Sequence, residues 1–106
     1  MIKPRKYRNQ PTEVDGIKFA SKAEARRYCD LRLLERAGEI SRLTLQPRYP
    51  LTVNGLHVCV YVADFDYVET KSGRLVTEDT KGVKTKEFII KAKLFHAVYG
   101  REVTLS

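Results

Sequence analysis

The spacing of apolar residues changes character along this chain. In SKAEARRYCDLRLLERAG, from Ser21 to Gly38, apolar residues recur at helical intervals: Ala25, Tyr28, Cys29, Leu31 and Leu34 share one stripe. Arg26, Arg27, Arg32, Glu35 and Arg36 fall on other faces. The pattern predicts an amphipathic helix with Ser21 as its N-cap and Gly38 as its stop. A β pattern runs from Leu43 to Tyr67. LTLQPRYPLTV is broken at Pro47 and Pro50, which predicts an edge strand or a bulged one. Asn54-Gly55 is a hairpin signal, and LHVCVYVADFDYVET after it predicts one long, largely apolar strand.

Ser72-Gly73 marks another turn, and RLVTEDTK predicts a third strand ending at Gly82. TKEFIIKAKLFHAVYG then reads as a second helix, with Phe88, Ile89, Ala92, Phe95 and Tyr99 on its apolar face and Gly100 as its stop. EVTL predicts a last short strand, and Asp15-Gly16 a turn near the start. The order is helix, three antiparallel-type strands, helix, strand. An α/β fold in a single domain follows, with residues 1–12 as a basic N-terminal arm that carries Lys3, Arg5, Lys6 and Arg8.

Charge narrows the class. The 106 residues hold 20 Lys and Arg against 13 Asp and Glu, a formal charge of +7. That excess favours a polyanionic partner, and nucleic acid is the commonest. The basic residues are spread along the chain, unlike those of a membrane-surface helix. No apolar run reaches membrane-span length and no secretory signal is evident, so a soluble cytoplasmic protein is expected. Cys29 and Cys59 are isolated, and with His57 and His96 they do not make a zinc pattern; both read as small buried hydrophobes.

Candidate chemistry centres on VTEDTKG, Val76 to Gly82, where a strand ends in two acids and a lysine. Strand alternation sends Asp79 and Lys81 to one face and Glu78 to the other. Asp64 interrupts the apolar run YVADFDY on the preceding strand, and a hairpin at Ser72-Gly73 would bring it beside Asp79. Two carboxylates so placed repel unless a cation compensates, and hard oxygen ligands suit Mg²⁺, with Mn²⁺ as a substitute. The competing reading is plain: Asp79 and Lys81 as an exposed ion pair, Asp64 as a solvent-facing polar residue, and Glu24 as the partner of Ser21 in a capping box.

Asp64, then Asp79-Thr80-Lys81, with Glu24 on the helix before them, resembles the PD-(D/E)XK nuclease motif. The element order is similar to that superfamily's αβββαβ restriction-endonuclease-like core, a central mixed sheet flanked by helices. Stretches such as DGIKFASKAEARRY, GEISRLTLQPRYPL, ADFDY and EDTKG are similar to a family of small phage proteins placed in that superfamily, near archaeal-type Holliday-junction resolvases. The resemblance implies that Glu24, Asp64 and Asp79 coordinate metal and that Lys81 is the catalytic lysine. Ala63 stands where the motif's proline falls, and Asp79 replaces the commoner glutamate.

Lys84, Lys86, Lys91 and Lys93 are candidate phosphate contacts, and so are the arm residues. Gln46 is either a substrate contact or an ordinary edge-strand residue. Phe65, Tyr61 and Tyr67 read as core, and the histidines have no assigned role. The expectation is a Mg²⁺-dependent endonuclease acting on branched or duplex DNA, structure-selective in the manner of a junction resolvase and homodimeric, in a bacterial host cell if phage-encoded. A nuclease nicking ordinary duplex and a non-catalytic nucleic-acid-binding module are the alternatives.

Overall fold

A computed structural model of the chain describes residues 10–80 and 84–106. The elements are β1 (Thr12–Val14), β2 (Ile17–Phe19), α1 (Lys22–Arg36), β3 (Ile40–Leu45), β4 (Arg48–Val53), β5 (Leu56–Val62), β6 (Phe65–Glu69), β7 (Leu75–Asp79), α2 (Lys86–Tyr99) and β8 (Thr104–Leu105). Four strands form a mixed sheet in the order β3-β6-β7-β8, antiparallel except for the parallel β7–β8 pair. The β1–β2 and β4–β5 pairs are separate two-stranded ribbons. The chain is thus an α/β fold with a mixed sheet and two helices.

Local chemistry accounts for the boundaries. Ser21 Oγ accepts from the Glu24 N–H at 3.2 Å to start α1, and Thr85 Oγ1 accepts from the Phe88 N–H at 3.1 Å to start α2. Gly38 and Gly100, with φ of +79° and +74°, turn the chain out of each helix. The tips of the two ribbons are Asp15-Gly16 and Asn54-Gly55, all with positive φ, as a tight antiparallel turn requires.

Two expected strands are instead four. LTLQPRYPLTV divides into β3 and β4, and LHVCVYVADFDYVET into β5 and β6, because the chain leaves the main sheet and returns to it. Gln46 takes φ +50° and Pro47 follows it, which swings β4 away. The exit and the return are tied together: the Gln46 N–H donates to the Asp64 carbonyl at 2.9 Å, and the Ala63 N–H to the Pro47 carbonyl at 3.1 Å. Apolar periodicity is blind to this exchange of sheets, because strands in both need the same alternation.

Two hydrophobic clusters result. One lies under α1 and gathers Phe19, Ala25, Tyr28, Leu31, Ile40, Phe65, Tyr67 and Val76. The other lies between α2 and the β4–β5 ribbon and is built on Leu51, Tyr61, Ala63 and Phe95. The narrow ribbon covers only a thin stripe of α2, so Ile89 and Tyr99 stay 39% and 38% exposed and Phe95 alone on that helix is buried. The cysteines also depart from expectation. Both are free thiols, but Cys29 is exposed, beside the Ala25–Tyr28–Leu31 stripe, and Cys59 is half-buried.

A clamp joins α1 to β7. The Arg27 Nε and Nη2 donate to Glu78 Oε2 and Oε1 at 2.6 and 2.9 Å, and the Tyr67 hydroxyl donates to Oε1 at 2.7 Å. Burial alone would raise the Glu78 carboxyl; Arg27 and Tyr67 outweigh it and hold the group below its ordinary value. Arg27→Ala would strand a carboxylate whose side chain is 1% exposed. A loss of about 3 kcal/mol is expected in urea unfolding at pH 7. A loss within about 0.5 kcal/mol would mean that the clamp adds nothing beyond a surface pair.

Candidate active site

The clamp fixes which way the next residue points. Phe65 pairs with Glu78 and Asp66 with Thr77, so Phe65, Tyr67, Val76 and Glu78 share the face toward α1. Asp66, Thr77 and Asp79 leave the sheet on the opposite face, toward the second cluster. Asp64 sits two positions before Asp66, where the chain re-enters the sheet. The expected split between Glu78 and Asp79 is therefore present.

Asp64 is bracketed by backbone hydrogen bonds. Its N–H donates to the Glu78 carbonyl at 3.1 Å, its carbonyl accepts from Gln46, and its Oδ2 accepts from the Thr80 N–H at 2.7 Å. Asp79 is 1% exposed, and its Oδ2 accepts from the Tyr61 hydroxyl. The two carboxyls lie close enough to interact. Burial pushes Asp64 up to about 8; the Thr80 N–H opposes the rise, while Asp79 and, more weakly, Glu24 add to it. Burial, then the Asp79 carboxylate, holds the Tyr61 phenol well above its ordinary value, so it remains a donor.

Glu24, on α1, lies within electrostatic reach of Asp64 and is the weakest of the influences on it. Among the described residues, no three of His, Cys, Asp and Glu converge as a ready-made metal cluster. The tight convergence is of Asp64 and Asp79, with Glu24 further out. Two desolvated carboxyls of like charge suit a hard divalent cation that keeps part of its water shell, so this donor set fits Mg²⁺ or Mn²⁺.

The remaining candidates scatter. Lys81 and the arm residues Lys3, Arg5, Lys6 and Arg8 lie outside the described residues. Gln46 belongs to the site by its backbone bond to Asp64, while its side chain is exposed. Lys84, Lys86 and Lys93 are exposed on and before α2, and Lys91 pairs with Glu87 at 3.2 Å.

A second polar layer flanks the pair. The Tyr49 hydroxyl donates to Asp66 Oδ2, and Arg101 donates to Thr77 Oγ1 at 2.6 Å and to the Tyr49 oxygen at 3.0 Å. The Arg101 guanidinium lies 5.0 Å from the centre of the Phe95 ring. Tyr49 and Tyr61 both come from the β4–β5 ribbon, so the ribbon supplies the hydroxyls that hold two acids of the sheet. The sequence marked Tyr61 only as core and did not mark Tyr49 or Arg101. None of the three is set apart by apolar spacing, because each is held by a partner distant in sequence.

No helix among the described residues is long and apolar enough to cross a membrane. Metal-free protein should lose stability as pH rises. The folded state binds a proton at Asp64 up to about pH 8, whereas an unfolded aspartate releases it near 3.8. The stability that Asp64 contributes therefore falls between those values. Asp64→Asn should melt higher than wild type at pH 8.5 in chelator, with the difference shrinking as pH falls and closing near pH 4. A variant that melts lower at both pH values would contradict the buried like-charge pair.

Residues 4–106 match the sequence pattern of the DUF1064 family, described as a protein of unknown function. No curated protein and no solved structure matches the chain. With nearly its whole length covered, the chain belongs to the DUF1064 family.

Proposed function

We propose that this DUF1064 protein is a metal-dependent DNA endonuclease with a PD-(D/E)XK-type core, hydrolysing phosphodiester bonds with Mg²⁺, or Mn²⁺ in its place. The observation that carries this reading is the Asp64–Asp79 pair, two carboxyls brought together just before β6 and at the end of β7, with Asp64 pushed far from its ordinary range. Once β1–β2 and β4–β5 are set aside as ribbons, the remaining elements follow the order helix, three strands, helix, strand, which also supports it.

In this reading Asp64 and Asp79 hold the cation, with Glu24 reaching it directly or through water. When bound, the ion neutralises charge at the phosphate and makes a bound water more acidic. Thr80, through its N–H, and Tyr61, through its hydroxyl, each fix one carboxylate oxygen and so set the direction in which the acids point. Lys81 is assigned to stabilise the developing negative charge or orient the attacking water. The +7 chain meets DNA mainly through phosphates, which favours recognition of shape over sequence and a steep loss of affinity with salt. A structure-selective enzyme resembling a junction resolvase, working as a homodimer, is the form proposed.

Purified protein incubated with plasmid, linear duplex and four-way junction should cut the junction in Mg²⁺ and nothing in chelator. Asp64→Asn and Asp79→Asn should each lower the cleavage rate by more than about 100-fold, since even outer partners of a metal contribute up to that much. Lys81→Ala should also abolish cutting, and all three variants should retain DNA binding. Binding without cleavage in any divalent ion would instead identify a non-catalytic nucleic-acid module.

A further inference from the structure

A cleft of about 250 Å³ runs between α2 and the edge strand β8. Its walls are apolar: Phe88 and Ala92 on the helix, Val103 and Leu105 on and before the strand. Lys93 and His96 stand at its rim, and Glu102, 3.9 Å from His96 Nδ1, lies beside them. The β7–β8 register sets Leu105 directly opposite Asp79. Paired residues of neighbouring strands project to the same face, so Leu105 leaves the sheet one strand away from Asp79, a separation of about 4.8 Å. At the other end of the wall, the Phe88 ring centre lies 6.5 Å from that of Tyr61, whose hydroxyl holds Asp79. The cleft therefore begins where the acidic pair ends.

We propose that this cleft receives a single unpaired nucleobase, next to the phosphate that a cation at Asp64 and Asp79 would hold. The inference rests on the endonuclease reading and adds what that reading leaves open, the recognition of an unstacked base. A flat ring between the Phe88 ring and the Val103–Leu105 strip gains stacking and apolar contact without base-specific hydrogen bonds. Lys93 and His96 at the rim face the sugar-phosphate chain that must enter with it. An intact stacked duplex has no free base to offer, whereas a flap or single strand does, and a four-way junction does once a pair at its branch point opens. Selectivity for branched DNA would then arise in this cleft.

The test separates base from phosphate. Binding of hexathymidylate is compared in chelator with that of a sugar-phosphate hexamer of equal charge that lacks bases, for wild type and for Ala92→Phe, which narrows the cleft from the helix side. Wild type should prefer the hexamer with bases by about tenfold or more, the contribution of one stacked base. Ala92→Phe should reduce that ratio to near one. An equal affinity in wild type, or a ratio preserved in the variant, overturns the proposal. Should the variant fail to fold, thymidine 5′-monophosphate added to wild type decides the matter. Amide NMR shifts at Ala92, Val103 and Leu105 are expected, and shifts only elsewhere overturn it. If the base preference is found but no divalent ion supports cleavage of any DNA, the endonuclease reading falls and the base pocket stands.

Discussion

The bidentate bond between Arg27 and Glu78 decides how the rest of the site is arranged. It brings a helix of the first cluster against β7, an inner strand of the four-stranded sheet, and the Tyr67 hydroxyl completes the acceptor's shell. A strand's side chains alternate, so fixing Glu78 toward α1 commits Asp79 to the far face. Without that anchor a one-residue slip of β7 would exchange the two acids and send Asp79 into the apolar cluster under α1. Glu78, the acid beside Asp79, is thus what fixes the face that Asp79 takes.

On the far face the energetics run the other way. Glu78 is compensated; Asp64 is set beside Asp79, where burial and that neighbouring carboxyl both disfavour its ionisation. Stability is held elsewhere, in the two clusters and the clamp, while backbone and tyrosine donors keep the acids from turning away. The ribbon β4–β5 serves this purpose as well as packing. It covers α2 through Leu51 and Tyr61, and the same Tyr61 reaches Asp79. A core that is apolar toward the helix and polar toward the acids is what a small domain needs to carry a strained charge pair.

Much of this could be read from the chain, and the reasons are local. Ser21, Gly38, Asn54-Gly55 and Gly100 act within a few residues of themselves, so the helices and ribbon tips were legible. Asp64 and Asp79 were legible because two acids interrupt apolar strands. The division of β3 from β4 and of β5 from β6 was not, since it depends on which sheet a strand joins. Arg27 looked like one arginine among several on a polar face, and its partner lies 51 residues away. Tyr49, Arg101 and the α2–β8 cleft are products of tertiary packing and leave no periodic trace. Cys29 misled because the buried stripe of α1 is narrower than the run of apolar residues suggests.

The account stands on Asp64 and Asp79 sharing a divalent cation. Crystals soaked in Mn²⁺ and measured at the manganese edge test this directly. The account predicts an anomalous peak within about 2.1–2.3 Å of a carboxylate oxygen from each residue, a hard-cation distance. A map with no peak at that corner, and the two carboxyls turned apart, would contradict it.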